Sequence, residues 1–234
     1  MSDTPNDILV HTEAGVTTIT LNRVDKKNSL TRAMYATLAD TFEAAAQGTE
    51  VRVVVLQGDL AIFSAGNDIG DFLQQPPSTQ DSPVFRFLRA IATFPKPVVA
   101  AVCGPAVGIG TTLLLHCDLV YAGDNAGFSL PFVNLGLCPE AGSSLLLPQI
   151  VGYQRAAEKL LFGEPFSAED ALDMGLVNRV LPPTEVNAYA QAQAAKLAAK
   201  PATSLRVTKA LMRQSNTEAL HAVMLAELQQ FGNL

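Results

Sequence analysis

Two short segments carry the residue types from which a binding site can be built. One is Phe63-Ser64-Ala65-Gly66-Asn67-Asp68-Ile69. The other covers 102–112 and contains Gly104, Gly108 and Gly110, ending in Thr111-Thr112. Both are rich in small residues, which let a ligand approach the main chain. Each reads as a turn from a strand into a helix, and a helix start offers N–H groups without internal partners. The chemistry this supports is a small-molecule site whose polar contacts come from backbone N–H groups. By composition alone, close-packed turns that face no ligand fit these segments equally well.

Other catalytic devices are missing from the sequence. His11, His116 and His221 are scattered and form no HxxxH or HExxH pattern, so no zinc site is expected. His116 lies in an apolar stretch and reads as a core histidine. There is no GxSxG elbow and no GxxxxGK[ST] loop. Residues 104–110 match GxGxxG only loosely, as G-x-x-x-G-x-G, so a dinucleotide site is not expected.

The elements that must hold these turns are legible around them. The apolar runs 51–57 and 98–102 read as buried strands, each leading into one of the two segments. In α/β sheets, sites gather at the carboxyl ends of strands. Residues 8–10 and 16–21 read as strands joined at Glu13-Ala14-Gly15, and 119–122 as another. Residues 31–47 read as a helix capped by Thr31, with Met34, Leu38 and Phe42 on one face. Residues 84–93 and 111–116 also read as helical. The stretch 74–83 reads as a polar loop. After Ala156 the pattern is mostly helical, with 204–230 as one long helix. Alternating strands and helices imply an α/β fold with a mainly parallel sheet. A core over 1–157 and a helical region over 158–234 are expected.

Composition sets the outer limits. The chain has 234 residues, 48% of them hydrophobic and 16% charged, enough for a large core. The net charge of −6 argues against a nucleic-acid surface. Cys103, Cys117 and Cys138 form no CxxC pair and read as reduced, buried thiols. No basic-then-apolar leader and no run of about 18 apolar residues occurs, and the last residues, Phe-Gly-Asn-Leu, are no peroxisomal address. A cytoplasmic location away from membranes is the expectation.

The wording of the two segments goes further than their composition. Phe-Ser-Ala-Gly-Asn-Asp-Ile at 63–69 and Gly-Pro-Ala-Val-Gly-Ile-Gly at 104–110 resemble the paired signatures of the crotonase, or enoyl-CoA hydratase/isomerase, superfamily. So do Leu21-Asn22-Arg23 with Asn28-Ser29-Leu30, Cys117-Asp118-Leu119-Val120-Tyr121-Ala122, and residues 171–180. The resemblance implies an α/β fold, a crotonase-like spiral of ββα units with a helical C-terminal region, assembled as homotrimers or dimers of trimers. It implies an acyl-CoA thioester as substrate, with CoA a part of that substrate and no separate cofactor. Carried over by position, the N–H groups of Asn67 and Ile109 become the donors to the thioester oxygen. Removing a proton beside a thioester puts enolate charge on that oxygen, and one preplaced donor is worth about 10²–10³ in rate.

The resemblance also bears on the reaction. Hydratases of the superfamily use two glutamates to hold water, and the matching positions here are Thr112 and Phe132. The stretch Pro139-Glu140-Ala141-Gly142 instead resembles the Δ3,Δ2-enoyl-CoA isomerases, in which the glutamate is the base. Isomerisation of 3-enoyl-CoA to 2-enoyl-CoA by Glu140 is therefore expected. A hydratase or other acyl-CoA lyase of the family, and a CoA-ester binder without turnover, are the alternatives. Without the resemblance, Glu140 reads as a loop glutamate or a carboxylate at a helix start near Ser143. Apolar neighbours such as Phe132, Leu137 and Leu147 would raise its pKa, and that helix start would lower it. Residues Ala65, Gly66, Asn67, Asp68 and Ile69, with Gly108 and Phe132, are expected to line the CoA ester. Lys26 and Lys27 are expected at its phosphates, although a solvated pair fits them as well. Asp68, Arg23 and Asp118 are expected to support the structure.

Overall fold

The computed structural model describes residues 6–74 and 81–231. Strands β1 (Ile8–Glu13) and β2 (Val16–Leu21) form an antiparallel hairpin at one edge of the main sheet. β3 (Val53–Gln57) and β4 (Val98–Val102) follow in parallel, and both are almost wholly buried. Continuous Val and Ala runs suit strands covered on both faces. Helices α1 (Arg32–Gln47), α2 (Ile69–Gln74) and α3 (Pro83–Ala92) come from the connections around β3. Thr31 caps α1, its hydroxyl accepting the Met34 N–H at 3.3 Å. Phe42 of α1 packs edge-on against both Phe87 of α3 and Phe94.

A second, three-stranded sheet lies beside the first. It contains β5 (Pro105–Val107), β7 (Gly127–Ser129) and β8 (Phe166–Ser167) in the order β5-β7-β8. Between β5 and β7 come α4 (Ile109–Thr112), a 3-10 turn over Leu113–His116, and β6 (Leu119–Gly123). β6 joins the main sheet, as does β9 (Arg179–Leu181), giving the order β1-β2-β3-β4-β6-β9. The strands of the second sheet are only two or three residues long, too short for alternation to show in the sequence. β8 and β9 fall in the C-terminal region, between the stretches that read as helical.

The remaining helices are α5 (Ser143–Val151), α6 (Tyr153–Phe162), α7 (Ala168–Asp173), α8 (Pro183–Ala198), α9 (Ala202–Arg213) and α10 (Thr217–Phe231). α8 covers the other face of the main sheet: its Val186, Ala190 and Ala194 pack on Val53, Val55, Val99 and Ala101. The single helix expected over 204–230 is broken into α9 and α10 by a 3-10 turn at Gln214–Asn216. Ser215, Asn216 and Thr217 are residues whose side chains compete with helical backbone bonding, which accounts for the break. α9 is tied to the core by Lys209, which donates to the Lys96 carbonyl and to Asp118 at 2.6 Å each, and by Arg213, which donates to the His116 carbonyl. Asp118 also accepts the Val98 N–H, the supporting role expected of it. The boundary at 157/158 falls inside α6. Phe166, Ala168, Ala171 and Val177, beyond it, share one core with Ile19, Leu38 and Val54. The loop expected over 74–83 lies partly outside the described residues. No helix among those described is long and apolar enough to cross a membrane.

Candidate active site

The two glycine-containing segments, far apart in sequence, are joined as neighbouring extended strands at the carboxyl ends of β3 and β4. Ser64 bridges Ala106 in parallel: the Ser64 N–H donates to the Pro105 carbonyl at 3.0 Å, and the Val107 N–H to the Ser64 carbonyl at 2.9 Å. Gly66 (φ +94°) sits on the main chain of Val107, where a Cβ would stand 3.0 Å from the carbonyl oxygen. The small residues here therefore serve close approach of two backbones. The reading as close-packed turns is correct as far as it goes, and it places both segments around one point.

A third segment clamps the first. Leu30 bridges Asn67: the Leu30 N–H donates to the Gly66 carbonyl and the Asp68 N–H to the Leu30 carbonyl. In a parallel bridge the middle residue's own N–H points away from the partner strand, so that of Asn67 is turned to the other side. Asn28 is fully buried and donates to the carbonyls of Ile62 and Phe63, while the Ser64 hydroxyl donates to the Asn28 carbonyl at 2.9 Å. Asp68 accepts from Arg23 at 2.7 Å and from the Asp71 N–H at 3.0 Å. The Asp71 N–H, then Arg23, hold its carboxyl below the usual range. Asp68 and Arg23 thus brace the turn, as expected of them. Ala65 is fixed by its N–H bond to the Lys27 carbonyl. Lys26 and Lys27 have exposed side chains on the same loop, and Ile69 is exposed at the start of α2.

Ile109 is the first residue of α4, so its N–H has no partner within the helix. Gly108 before it has φ +54° and ψ −117°, a backbone state open to glycine alone. A Cβ built there would meet Phe132 Cε1 at 4.0 Å, an ordinary van der Waals contact. Phe132, buried, therefore borders the second turn.

Glu140 arrives from the loop before α5. Thr112, at the end of α4, donates its hydroxyl to Glu140 Oε1 at 2.5 Å. Protein packed around the half-buried Glu140 pushes its pKa up to about 8. The Thr112 hydrogen bond opposes this shift, and the Glu227 carboxylate adds to it. The charge of Glu140 is also felt at Tyr35 of α1. Burial first, then Glu140, raises the Tyr35 phenol well above its ordinary value. The phenol donates to Asn67 Oδ1 at 2.5 Å. Asn67, Tyr35, Thr112 and Glu140 therefore belong to one neighbourhood.

The sequence reading missed Tyr35 and Glu227. Tyr35 shares the buried face of α1 with Leu38 and Phe42 and carries no pattern beyond that. His116 is the expected core histidine, 1% exposed and donating through Nε2 to the Ala141 carbonyl at 2.7 Å. Burial lowers its pKa to about 4, so it is neutral. The cysteines are unpaired, but only Cys103 is fully buried. An apolar cavity of about 900 Å³ lies between α3, α9 and α10, and His116, Leu146, Leu220 and Met224 form its wall toward the Glu140 loop.

Comparison with known proteins places this geometry in context. The family model described as enoyl-CoA hydratase/isomerase matches residues 11–234. Enoyl-CoA delta isomerase 2 of Rattus norvegicus is 40% identical over 222 residues, covering 92% of this chain and 56% of its own length. The chain thus spans about half the length of that relative. The 2,3-dehydroadipyl-CoA hydratase of Escherichia coli K12 is 35% identical, with 97% of this chain and 89% of the relative covered. Among solved structures, Pseudomonas aeruginosa OdaA superposes with a TM-score of 0.95 at 49% identity, covering 97% of this chain and 93% of the other. The chain belongs to the enoyl-CoA hydratase/isomerase family, the crotonase superfamily, and has its fold.

Proposed function

We propose that the protein isomerises 3-enoyl-CoA to 2-enoyl-CoA. The observation that carries this reading is Glu140, held by Thr112 beside the two joined turns. In this reading the thioester oxygen lies between the N–H groups of Asn67 and Ile109. Glu140 takes a proton from C2, the dienolate stays on the two donors, and Glu140 returns the proton at C4. One base serves both steps because the intermediate never leaves the donors. Residues 65–69, Gly108 and Phe132 line the ester, Lys26 and Lys27 meet the CoA phosphates, and CoA itself is part of the substrate. The apolar cavity beside the Glu140 loop supports an acyl chain on the thioester.

Hydration is the second reading, favoured by the hydratase among the relatives. It needs a second free carboxylate to hold water. Thr112 and Phe132 cannot supply one, and Glu227 is engaged by the Gly142 and Ser144 N–H groups and the Ser144 hydroxyl. Incubating 3-enoyl-CoA and 2-enoyl-CoA separately with the protein in D₂O separates the readings. The isomerase moves the double bond, a hydratase yields 3-hydroxyacyl-CoA, and a CoA-ester binder does neither. Only the first outcome sustains the proposal.

A base with pKa near 8 sets the pH dependence. It acts only when ionised, so kcat/KM should fall about tenfold per unit below that value and level off above it. A flat profile from pH 6 to 9 would remove Glu140 from the role of base. We further propose a homotrimer or a dimer of trimers. Large apolar side chains stand exposed on α6 (Tyr153, Leu161, Phe162) and on α9 (Val207, Leu211, Met212), side chains that subunit contacts would cover. Light scattering at micromolar concentration should give a mass that is a multiple of three chains. A monomer would count against the assembly.

A further inference from the structure

α10 lays one face on the loop that carries Glu140. Leu220, Met224 and Glu227, spaced four and three residues apart, share that face. A Cβ added to Gly142 would stand 2.3 Å from Leu220 Cδ1 and 3.3 Å from Met224 Cγ. Glu227 is buried at 8% exposure, and its carboxylate accepts from the Gly142 N–H at 2.6 Å, the Ser144 N–H at 3.0 Å and the Ser144 hydroxyl at 2.5 Å. It therefore satisfies two of the N–H groups that the start of α5 leaves open, from a distant helix. The loop it grips is unusual: Ala141 (φ +58°) and Gly142 (φ +72°) are consecutive left-handed residues directly after Glu140. A non-glycine residue in that region needs surroundings that hold it there.

We propose that Glu227 is a positioning residue for Glu140: it grips the start of α5 and so fixes the left-handed pair that aims the Glu140 carboxylate at Thr112. This rests on the reading of Glu140 as the base. It makes the base dependent on α10 being seated, so the C-terminal helix becomes part of the site without touching substrate. His116 grips the same loop from the opposite side through the Ala141 carbonyl. Within electrostatic reach of Glu140 lie Tyr35 from α1, Cys138 from its own loop and Glu227 from α10. Among these, Glu227 is the one that also fixes the loop.

The test uses Glu227→Gln in the full chain. The amide keeps the volume but cannot accept all three bonds as a charge. A misplacement of about 1 Å at a reacting group costs on the order of 10²-fold, so kcat should drop by roughly tenfold to a hundredfold with KM little changed. With a neighbouring negative charge gone, the Glu140 titration should move to lower pH. It is followed by ¹³C-carboxyl glutamate NMR, the resonance being assigned by its loss in Glu140→Gln. Ser144→Ala, which removes only the hydroxyl donor, should shift kcat the same way but less, and it carries the comparison if Glu227→Gln does not fold. A folded variant with wild-type kcat and an unmoved Glu140 titration overturns the proposal. Failure of the base reading shows separately, as isomerisation surviving in Glu140→Gln. In that case the carboxyl titration alone decides whether Glu227 governs Glu140.

Discussion

Glu140→Gln should abolish most isomerisation while the protein stays folded and still binds CoA esters. General-base catalysis is worth about 10²–10⁴-fold, and among the described residues Tyr35, Thr112 and Glu227 cannot replace the carboxylate. Tyr35 is a neutral phenol at working pH, Thr112 carries no base, and Glu227 is occupied by three donors. The glutamine amide can still accept the Thr112 hydroxyl, so the geometry around it should persist. Linkage gives an independent check that the loss is chemical. The Glu140 carboxyl is raised from 4.5 to about 8 in the folded chain. Between those values the folded state binds more protons than the unfolded one, so this group's contribution to stability declines as pH rises through that window. Glutamine does not ionise, so the decline should be smaller in the variant. Its melting temperature relative to wild type should be higher at pH 9 than at pH 5. The readout is the rate of 3-enoyl-CoA conversion together with a melting curve at both pH values. A folded variant within a few-fold of wild-type rate would end the assignment of Glu140 as base.

The parts of this site that the sequence makes legible are those built from main chain. A backbone N–H needs small residues around it, and small residues at fixed places are visible as Ala65-Gly66 and Gly108-Ile109-Gly110. Long apolar strands such as β3 and β4 are visible for a related reason, because burial on both faces leaves no room for polar residues. Contacts made by side chains across long separations leave no such trace. Tyr35 meets Asn67 across 32 residues, and Glu227 meets Gly142 across 85. Within its own helix each looks like any other residue at its spacing. The second sheet was hidden because pairs such as Phe128 with Phe166 stack without any local pattern long enough to read. The Thr112–Glu140 contact falls between these cases. Each position is marked by its motif, and only the fold shows that the Thr112 hydroxyl and the Glu140 carboxylate meet.

Gly108→Ala should cost about as much activity as removing a hydrogen-bond donor outright, on the order of 10²–10³ in kcat. The reason is conformational and not a clash. The nearest atom to an added Cβ is Phe132 Cε1 at 4.0 Å, so the methyl group fits. What alanine cannot adopt at low cost is φ +54° with ψ −117°, a state that costs about 1–3 kcal/mol for a residue with a side chain. Relaxing it turns the peptide between 108 and 109, and that peptide carries the Ile109 N–H. The donor then no longer points where Asn67 points. Gly66→Ala is the natural contrast. It perturbs the same pair of turns but also brings a Cβ to 3.0 Å from the Val107 carbonyl, so it should lose stability as well as rate. The comparison is of kcat, KM and melting temperature for the two variants. Gly108→Ala should lose mainly kcat, and Gly66→Ala should lose both kcat and several degrees of melting temperature. Near wild-type kcat in a folded Gly108→Ala protein would mean that the Ile109 N–H is not a donor to the reacting oxygen. The two-donor account of the turns would then fall, even with Glu140 intact.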